Sequence, residues 1–216
     1  MSQVADAETA ESRWRRWLYK VGGAAALVLL VLFLIGFIGI VTNMDGWFAP
    51  FVNNWLVVLF KLNAGFSGIQ TGLLNVLNLL DIAIMAIFCT MFLALYNAFK
   101  HISKMGSLIA ASLPFLGIPV FLITSTAGRS TLLIAGLIIS AVMLKSKIFS
   151  KPTAYVGIVA SMILFFAGDI ATAIFSSSNV IAVLIGVGYV LWMAWFLIMA
   201  QRLNQLGKGV SRDLNR

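Results

Sequence analysis

The chain has 216 residues, of which 61% are hydrophobic and only 10% are charged. A soluble domain carries about 25% charged residues, so this composition excludes a water-soluble enzyme and a soluble nucleic-acid-binding protein. One cysteine, Cys89, excludes an internal disulfide framework, and one histidine, His101, excludes any metal or haem site that needs two histidines. The sequence therefore predicts an all-α, multi-pass membrane protein with no cofactor.

Six apolar segments have the length and composition of membrane-spanning helices. A span takes about 20 mostly apolar residues, because each helical residue rises about 1.5 Å through about 30 Å of hydrocarbon. We expect these spans to form one bundle over residues 21–200, between an N-terminal tail (1–20) and a C-terminal tail (201–216). The predicted spans are residues 21–41, 74–99, 107–126, 129–144, 153–175 and 179–200.

Lysine and arginine residues favour the cytoplasmic loops of membrane proteins, so their positions predict the orientation of the chain. With the N-terminus inside, only Lys61 and Arg129 of the 15 basic residues fall outside. Both termini are therefore expected to be cytoplasmic. The net charge of +8 then reflects topology and contact with anionic lipid, and it does not indicate a nucleic-acid partner.

Between the first two predicted spans, residues 47–62 have the spacing of an amphipathic helix. Trp47, Phe51 and Trp55 fall on one side at helical spacing, whereas Asn54 and Lys61 fall on the other. Such a helix is expected to lie in the outer membrane interface, with its tryptophans at the depth of the headgroups. It is either a lid over the bundle or a simple interfacial anchor.

Two aspartates are the least expected residues inside the predicted spans. Ionisable groups within a membrane are costly and often mark a functional site, and Asp81 and Asp169 both fall roughly 10 Å below the outer boundary. They either form a polar cavity that binds a cation, a proton or a solute, or pair with Arg129 in a structural network. The candidate set comprises Asp81, Asp169, Arg129, Asn75, Asn78 and Thr172.

Other polar and small residues in the spans are expected to serve helix geometry and packing. Pro114 and Pro119 each remove a backbone donor and should kink or break the third span. Gly157 and Ser161 have the small-x-x-x-small spacing that lets helices approach closely. Trp192 and Trp195 offer aromatic bulk suited to lipid or to a partner subunit.

One short motif suggests catalysis but lacks the residues that the chemistry needs. Residues 65–68 (GFSG) resemble the G-x-S-G motif of rhomboid intramembrane proteases. A serine nucleophile requires a base, and His101 is predicted at the cytoplasmic end, on the other side of the membrane from Ser67. We therefore expect the protein not to be an enzyme.

Two further stretches carry a family resemblance. Residues 142–157 (VMLKSKIFSKPTAYVG) and 93–96 (LALY) resemble segments of small multi-pass prokaryotic membrane proteins that are classed as domains of unknown function. The resemblance implies a compact bundle in a bacterial or archaeal plasma membrane, and it implies no catalytic residue.

Two functions remain open from the sequence. The first is a non-enzymatic scaffold or accessory subunit that packs against other membrane subunits or a second copy of itself. The alternative is a small transporter or channel built on the two aspartates.

Overall fold

The computed structural model describes residues 2–45, 76–123, 125–171 and 179–209, which form six helices and no strand. The all-α prediction is thereby confirmed for this part of the chain. The predicted interfacial helix (47–62) lies outside the described residues, as do residues 210–216 of the C-terminal tail. The helices are α1 (Ser2–Asp45), α2 (Val76–Phe99), α3 (Lys104–Ile123), α4 (Ser125–Met143), α5 (Lys151–Ile163) and α6 (Asn179–Gly207).

The fifth helix changes its hydrogen-bonding pattern without a break in the chain. Leu164 keeps right-handed helical backbone angles after α5, and residues Leu164–Ala171 continue as a π-helix. A π-helix has i→i+5 hydrogen bonds, and it is rare outside single-turn bulges. This segment contains the position of Asp169.

Local sequence explains where several helices begin and end. Ser150 is the N-cap of α5 in an extended conformation, with Pro152 in the first turn, where a missing N–H is tolerated. The hydroxyl oxygens of Ser150 and Thr153 lie 2.8 Å apart across this turn. Beyond the C-terminal end of α6, Gly209 has a φ of 74°, a left-handed conformation that glycine adopts without strain.

Two helices contain segments long and apolar enough to cross a membrane. They are Ser12–Ile35, within α1, and Val183–Gly207, within α6. The other four helices contain shorter apolar segments: Ala83–Phe99, Lys104–Val120, Ala127–Met143 and Lys151–Ala167.

The six helices form a closed ring in chain order, and neighbours run antiparallel. Each helix packs against the helices that precede and follow it, and α6 closes the ring against α1. Paired contacts show the direction: Gly22 of α1 lies beside Ala94 of α2 and Leu203 of α6, whereas Phe33, further along α1, contacts Phe88 and Tyr189. This up-and-down arrangement places alternate turns at opposite ends of the bundle.

Aromatic side chains fill the centre of the ring. Phe33, Phe88, Trp192 and Phe196 contact one another with ring centroids 5.2 to 6.4 Å apart. These distances are typical of favourable aromatic pairs, each worth about 0.5–1.5 kcal/mol beyond the area it buries. Trp192 and Trp195 are only 2% and 1% exposed, so the expectation that they face lipid or a partner is wrong.

Large apolar side chains also cover the outside of the bundle. Each of the six helices exposes at least one of them, and α1, α3, α5 and α6 expose several. Soluble proteins expose such residues mostly as scattered single side chains. Examples from the six helices in turn are Val31, Leu93, Leu116, Ile134, Val159 and Val187.

The two prolines do not break the third helix. α3 runs without interruption from Lys104 to Ile123 and includes both of them. Pro114 is buried and Pro119 is exposed. Between them, Gly117 lies against Thr131 of α4, where a side chain would collide with the threonine hydroxyl. The helix therefore accommodates both prolines while keeping close contact with its neighbour.

Candidate functional site

The polar residues predicted as a site occupy helix positions at one end of the ring. Asn78 and Asp81 lie in the first turns of α2, Arg129 lies near the start of α4, and Asp169 lies in the π-helix after α5. Because neighbouring helices are antiparallel, these four positions share one end of the bundle. Asn75 and Thr172 lie outside the described residues, as do the side chains of Asn78, Asp81 and Asp169.

Arg129 is the member of this set whose side chain the structure describes. It is exposed, and its guanidinium lies within electrostatic range of the Tyr189 side chain on α6. The Tyr189 ring also contacts Phe33 in the aromatic core. This electrostatic interaction relates Arg129 to a residue of the packed interior.

Three helices meet closely through two identical motifs, of which the sequence predicted only the one in α5. α4 carries Gly136 and Ser140, and α5 carries Gly157 and Ser161, each pair with G-x-x-x-S spacing. Because the helices are antiparallel, each glycine faces the serine of the other helix. A side chain at Gly136 would come within 2.9 Å of the Ser161 hydroxyl, and one at Gly157 would collide with Ser140.

α6 completes this contact with its two buried tryptophans. The Trp192 indole donates a hydrogen bond of 3.1 Å to the Ser161 hydroxyl, and its ring lies against Gly136. One helical turn away, the Trp195 indole lies against Gly157. We call Gly136, Ser140, Gly157, Ser161, Trp192 and Trp195 the serine–tryptophan seam.

The seam holds two polar atoms without a hydrogen-bond partner. Ser140 Oγ and Trp195 Nε1 are both buried and unpaired, and both approach the same side of Gly157. A buried polar group without a partner costs about 1–3 kcal/mol. The chemistry of the seam is therefore that of helix packing.

The seam has no acid–base pair that would support nucleophilic catalysis. The described part of the chain also brings together no group of three or more His, Cys, Asp or Glu residues that could hold a metal ion. Its buried polar side chains are hydroxyls, namely Ser107, Ser140, Ser146, Thr153 and Ser161.

Basic residues gather at the end of the ring opposite the predicted polar set. This end comprises the start of α1, the turns between α2 and α3 and between α4 and α5, and the end of α6. We call it the basic end. Its described lysines and arginines are Arg13, Arg15, Arg16, Lys20, Lys100, Lys104, Lys145, Lys147, Lys151, Arg202 and Lys208.

The sequence contained part of the signal for these sites. The charge pattern indicates the basic end directly, because the spans alternate in direction. The seam was harder to predict, since Gly136 and Ser140 have no distinctive spacing partner in the sequence until antiparallel packing sets them against Gly157 and Ser161.

No family model, curated protein or solved structure matches the chain.

Proposed function

We propose that the protein is a six-span integral membrane bundle that acts without catalysis, as a scaffold or accessory subunit packing against another membrane component. The observation that carries the proposal is that the bundle is apolar on its outer surface as well as in its interior. The interior of the described ring is filled with aromatic side chains, and the exterior presents large apolar side chains on all six helices. Such a molecule meets its surroundings mainly through its sides.

The lengths of the remaining helices support six spans rather than two. α2, α3 and α4 have 24, 20 and 19 residues, and α5 with its π-helix has 13 and 8. At about 1.5 Å per residue, each reaches across about 28–36 Å, close to the thickness of the hydrocarbon layer. In the ring, α2 packs against α1 and α5 packs against α6, the two most clearly membrane-spanning helices, and α3 and α4 complete the ring between α2 and α5.

The basic end supports the proposed orientation. Lysine and arginine favour the cytoplasmic side, so both termini would be cytoplasmic, and the membrane would be a prokaryotic plasma membrane. Arg129, near the start of α4, would then lie on the outer side.

Among the side chains that the structure describes, which do not include those of Asp81 and Asp169, no charged one is buried. This favours a packing role over transport through that part of the bundle. Side chains in transport pathways commonly include intramembrane Asp, Glu, Lys, Arg or His. The buried polar residues here are serines and a threonine, which commonly bond neighbouring helices. The bundle is thus suited to hold its own shape while its outer faces contact lipid or another subunit.

Gentle detergent extraction from the native membrane tests this proposal. The complex would be separated on a native gel, and each co-migrating protein would be identified and quantified by mass spectrometry. A stoichiometric membrane partner is the expected result. Migration alone or as a homo-oligomer would contradict the accessory role.

A second candidate, a small transporter or channel, is favoured by one observation. π-Helical turns occur frequently at functional sites, and the described π-helix contains Asp169. Under this alternative, Asp169→Asn and Asp81→Asn would each abolish ion or solute flux in vesicles without loss of folded protein. Asp45→Asn is the matched control, because Asp45 ends α1 at the same end of the ring. Unchanged flux in both variants would eliminate the aspartates as transport residues.

A further inference from the structure

The outer face of α1 changes in character along the helix. Its C-terminal part is apolar over more than two turns, whereas in its N-terminal part tryptophans and cations alternate, and all of these side chains are exposed. The apolar part comprises Leu27, Val28, Val31, Leu34 and Ile35, and the other part comprises Arg13, Trp14, Arg16, Trp17 and Lys20. An apolar stripe that leads into a zone of tryptophans and cations matches the passage from hydrocarbon to the headgroup region of a bilayer leaflet.

The aromatic part of this face is a preformed stacked pair. The rings of Trp14 and Trp17 have centroids 4.9 Å apart and planes 22° apart. They are 58% and 51% exposed, in contrast to the buried Trp192 and Trp195. Because tryptophan has an apolar ring and one polar N–H, an exposed pair beside an apolar stripe is suited to the glycerol and ester region of a lipid.

The fold brings a fourth cation to the three on α1. A side chain added at Gly207 would lie 2.8 Å from Lys20 Cγ and 3.2 Å from the Arg16 carbonyl oxygen, so the end of α6 abuts α1 between Arg16 and Lys20. Lys208 follows directly and is exposed. The nearest carboxylate position along α1, Glu11, is about 200° around the helix from Arg13 by helical spacing.

We propose that this face binds an anionic phospholipid of the adjacent leaflet. The phosphate would lie among Arg13, Arg16, Lys20 and Lys208, the Trp14–Trp17 pair would pack on the glycerol region, and one acyl chain would follow Leu27 to Ile35. The inference rests on the proposed membrane location. The apolar stripe, continuous with the cations, favours a lipid over a soluble polyanion, which would use only the charged part.

Fluorescence quenching by brominated lipid tests the site in the full-length protein. The protein is reconstituted into phosphatidylcholine vesicles containing a small fraction of phosphatidylglycerol, and either lipid carries the bromine atoms on its acyl chains. The quenching that disappears in the Trp14→Phe/Trp17→Phe variant reports on lipid at this face. We expect phosphatidylglycerol to be enriched there over phosphatidylcholine.

Charge removal separates a specific site from general attraction. Arg13→Gln/Arg16→Gln/Lys20→Gln should lower the relative affinity for phosphatidylglycerol at least about tenfold, because each cation near the surface contributes to the attraction of anionic lipid. Lys145→Gln/Lys147→Gln/Lys151→Gln removes the same charge at the same end, in the turn between α4 and α5 and at the start of α5, which do not adjoin α1 in the ring. This variant should retain the preference.

Two results would overturn the proposal. One is equal quenching by the two brominated lipids in the unmodified protein, and the other is an equal loss of preference in both triple variants. Extraction of the protein from the vesicles by alkaline carbonate would instead contradict the proposed membrane function itself. The two failures are therefore distinguishable.

Discussion

Individual glycines determine how closely the helices of this bundle approach. Among helices surrounded by lipid, hydrophobic burial does not drive association, so close van der Waals contact between small residues becomes important. At Gly157 that contact involves a serine and a tryptophan from two different helices. The seam is consequently a region where one added methyl group should have a large effect.

Gly157→Ala is expected to destabilise the protein by about 1–3 kcal/mol, the usual cost of overpacking a filled interior. The added carbon would lie 2.5 Å from Trp195 Nε1 and would also collide with Ser140. Thermal unfolding of the purified protein in detergent measures the change. Gly186→Ala is the control, because its nearest neighbour is Phe37 Cε2 at 3.8 Å and it should be tolerated. Equal stability of the two variants would contradict the close packing described for the seam.

The hydrogen bond between Trp192 and Ser161 should make a modest contribution to stability. Trp192→Phe and Ser161→Ala each remove one partner of the 3.1 Å contact. A double-mutant cycle is expected to give a coupling of about 0.6–1.7 kcal/mol, the range of such bonds between membrane helices. The same unfolding measurement provides all four stabilities. Additive effects of the two substitutions would show that the bond is energetically silent.

At the scale of whole elements, continuity of the helices exceeds what hydropathy predicts. α1 begins at Ser2, within the predicted N-terminal tail (1–20), and α6 continues to Gly207 beyond the predicted end of its span at residue 200. The apolar pattern ends where charged residues begin, whereas backbone hydrogen bonding continues through arginine and glutamine. The π-helix had no signal in the sequence.

α3 offers a test of the cost of proline in a continuous helix. Pro119→Ala restores a backbone donor that can bond to the Phe115 carbonyl oxygen, and Pro119 is exposed, so no packed contact is lost. The variant should be more stable by about 1–3 kcal/mol in thermal unfolding, since proline costs about 3 kcal/mol relative to alanine inside a helix.

Pro114→Ala is the matched comparison. This substitution also restores one backbone N–H donor, but the buried proline ring is lost and leaves unfilled space. The gain in stability should therefore be smaller than for Pro119→Ala. Destabilisation by Pro119→Ala would show that the helix depends on the proline.

At the scale of the molecule, the number of helices and their order were predictable, whereas the residues they bring together were not. Six apolar segments predicted six helices, and each predicted segment overlaps a described one. The burial of Trp192 and Trp195 depends on which face of α6 turns toward the centre of the ring. The sequence did not indicate that face, because hydropathy is nearly uniform around α6. Likewise, the proximity of Lys208 to Lys20 follows only from closure of α6 against α1.

For the candidate polar set, the sequence predicted how far each residue lies from the membrane boundary, but it did not predict which side chains contact one another. Counting residues from the span ends placed Asp81, Asp169 and Arg129 near one boundary, and the antiparallel helices set their positions at one end. Which of these side chains meet depends on helix rotation, for which a sequence with few polar residues in its spans gives little information. The electrostatic interaction of Arg129 with Tyr189 had no signal in the sequence.

The most direct test of six spans is the accessibility of single cysteines from the two sides of the membrane. In a Cys89→Ala background, His101→Cys and Lys147→Cys place a thiol at the basic end, and Ala127→Cys and Val180→Cys place one at the opposite end. A membrane-impermeant maleimide added to intact cells should label the second pair only. Added to inside-out vesicles, it should label the first pair only. Labelling of all four positions from the same side would contradict the six-span bundle.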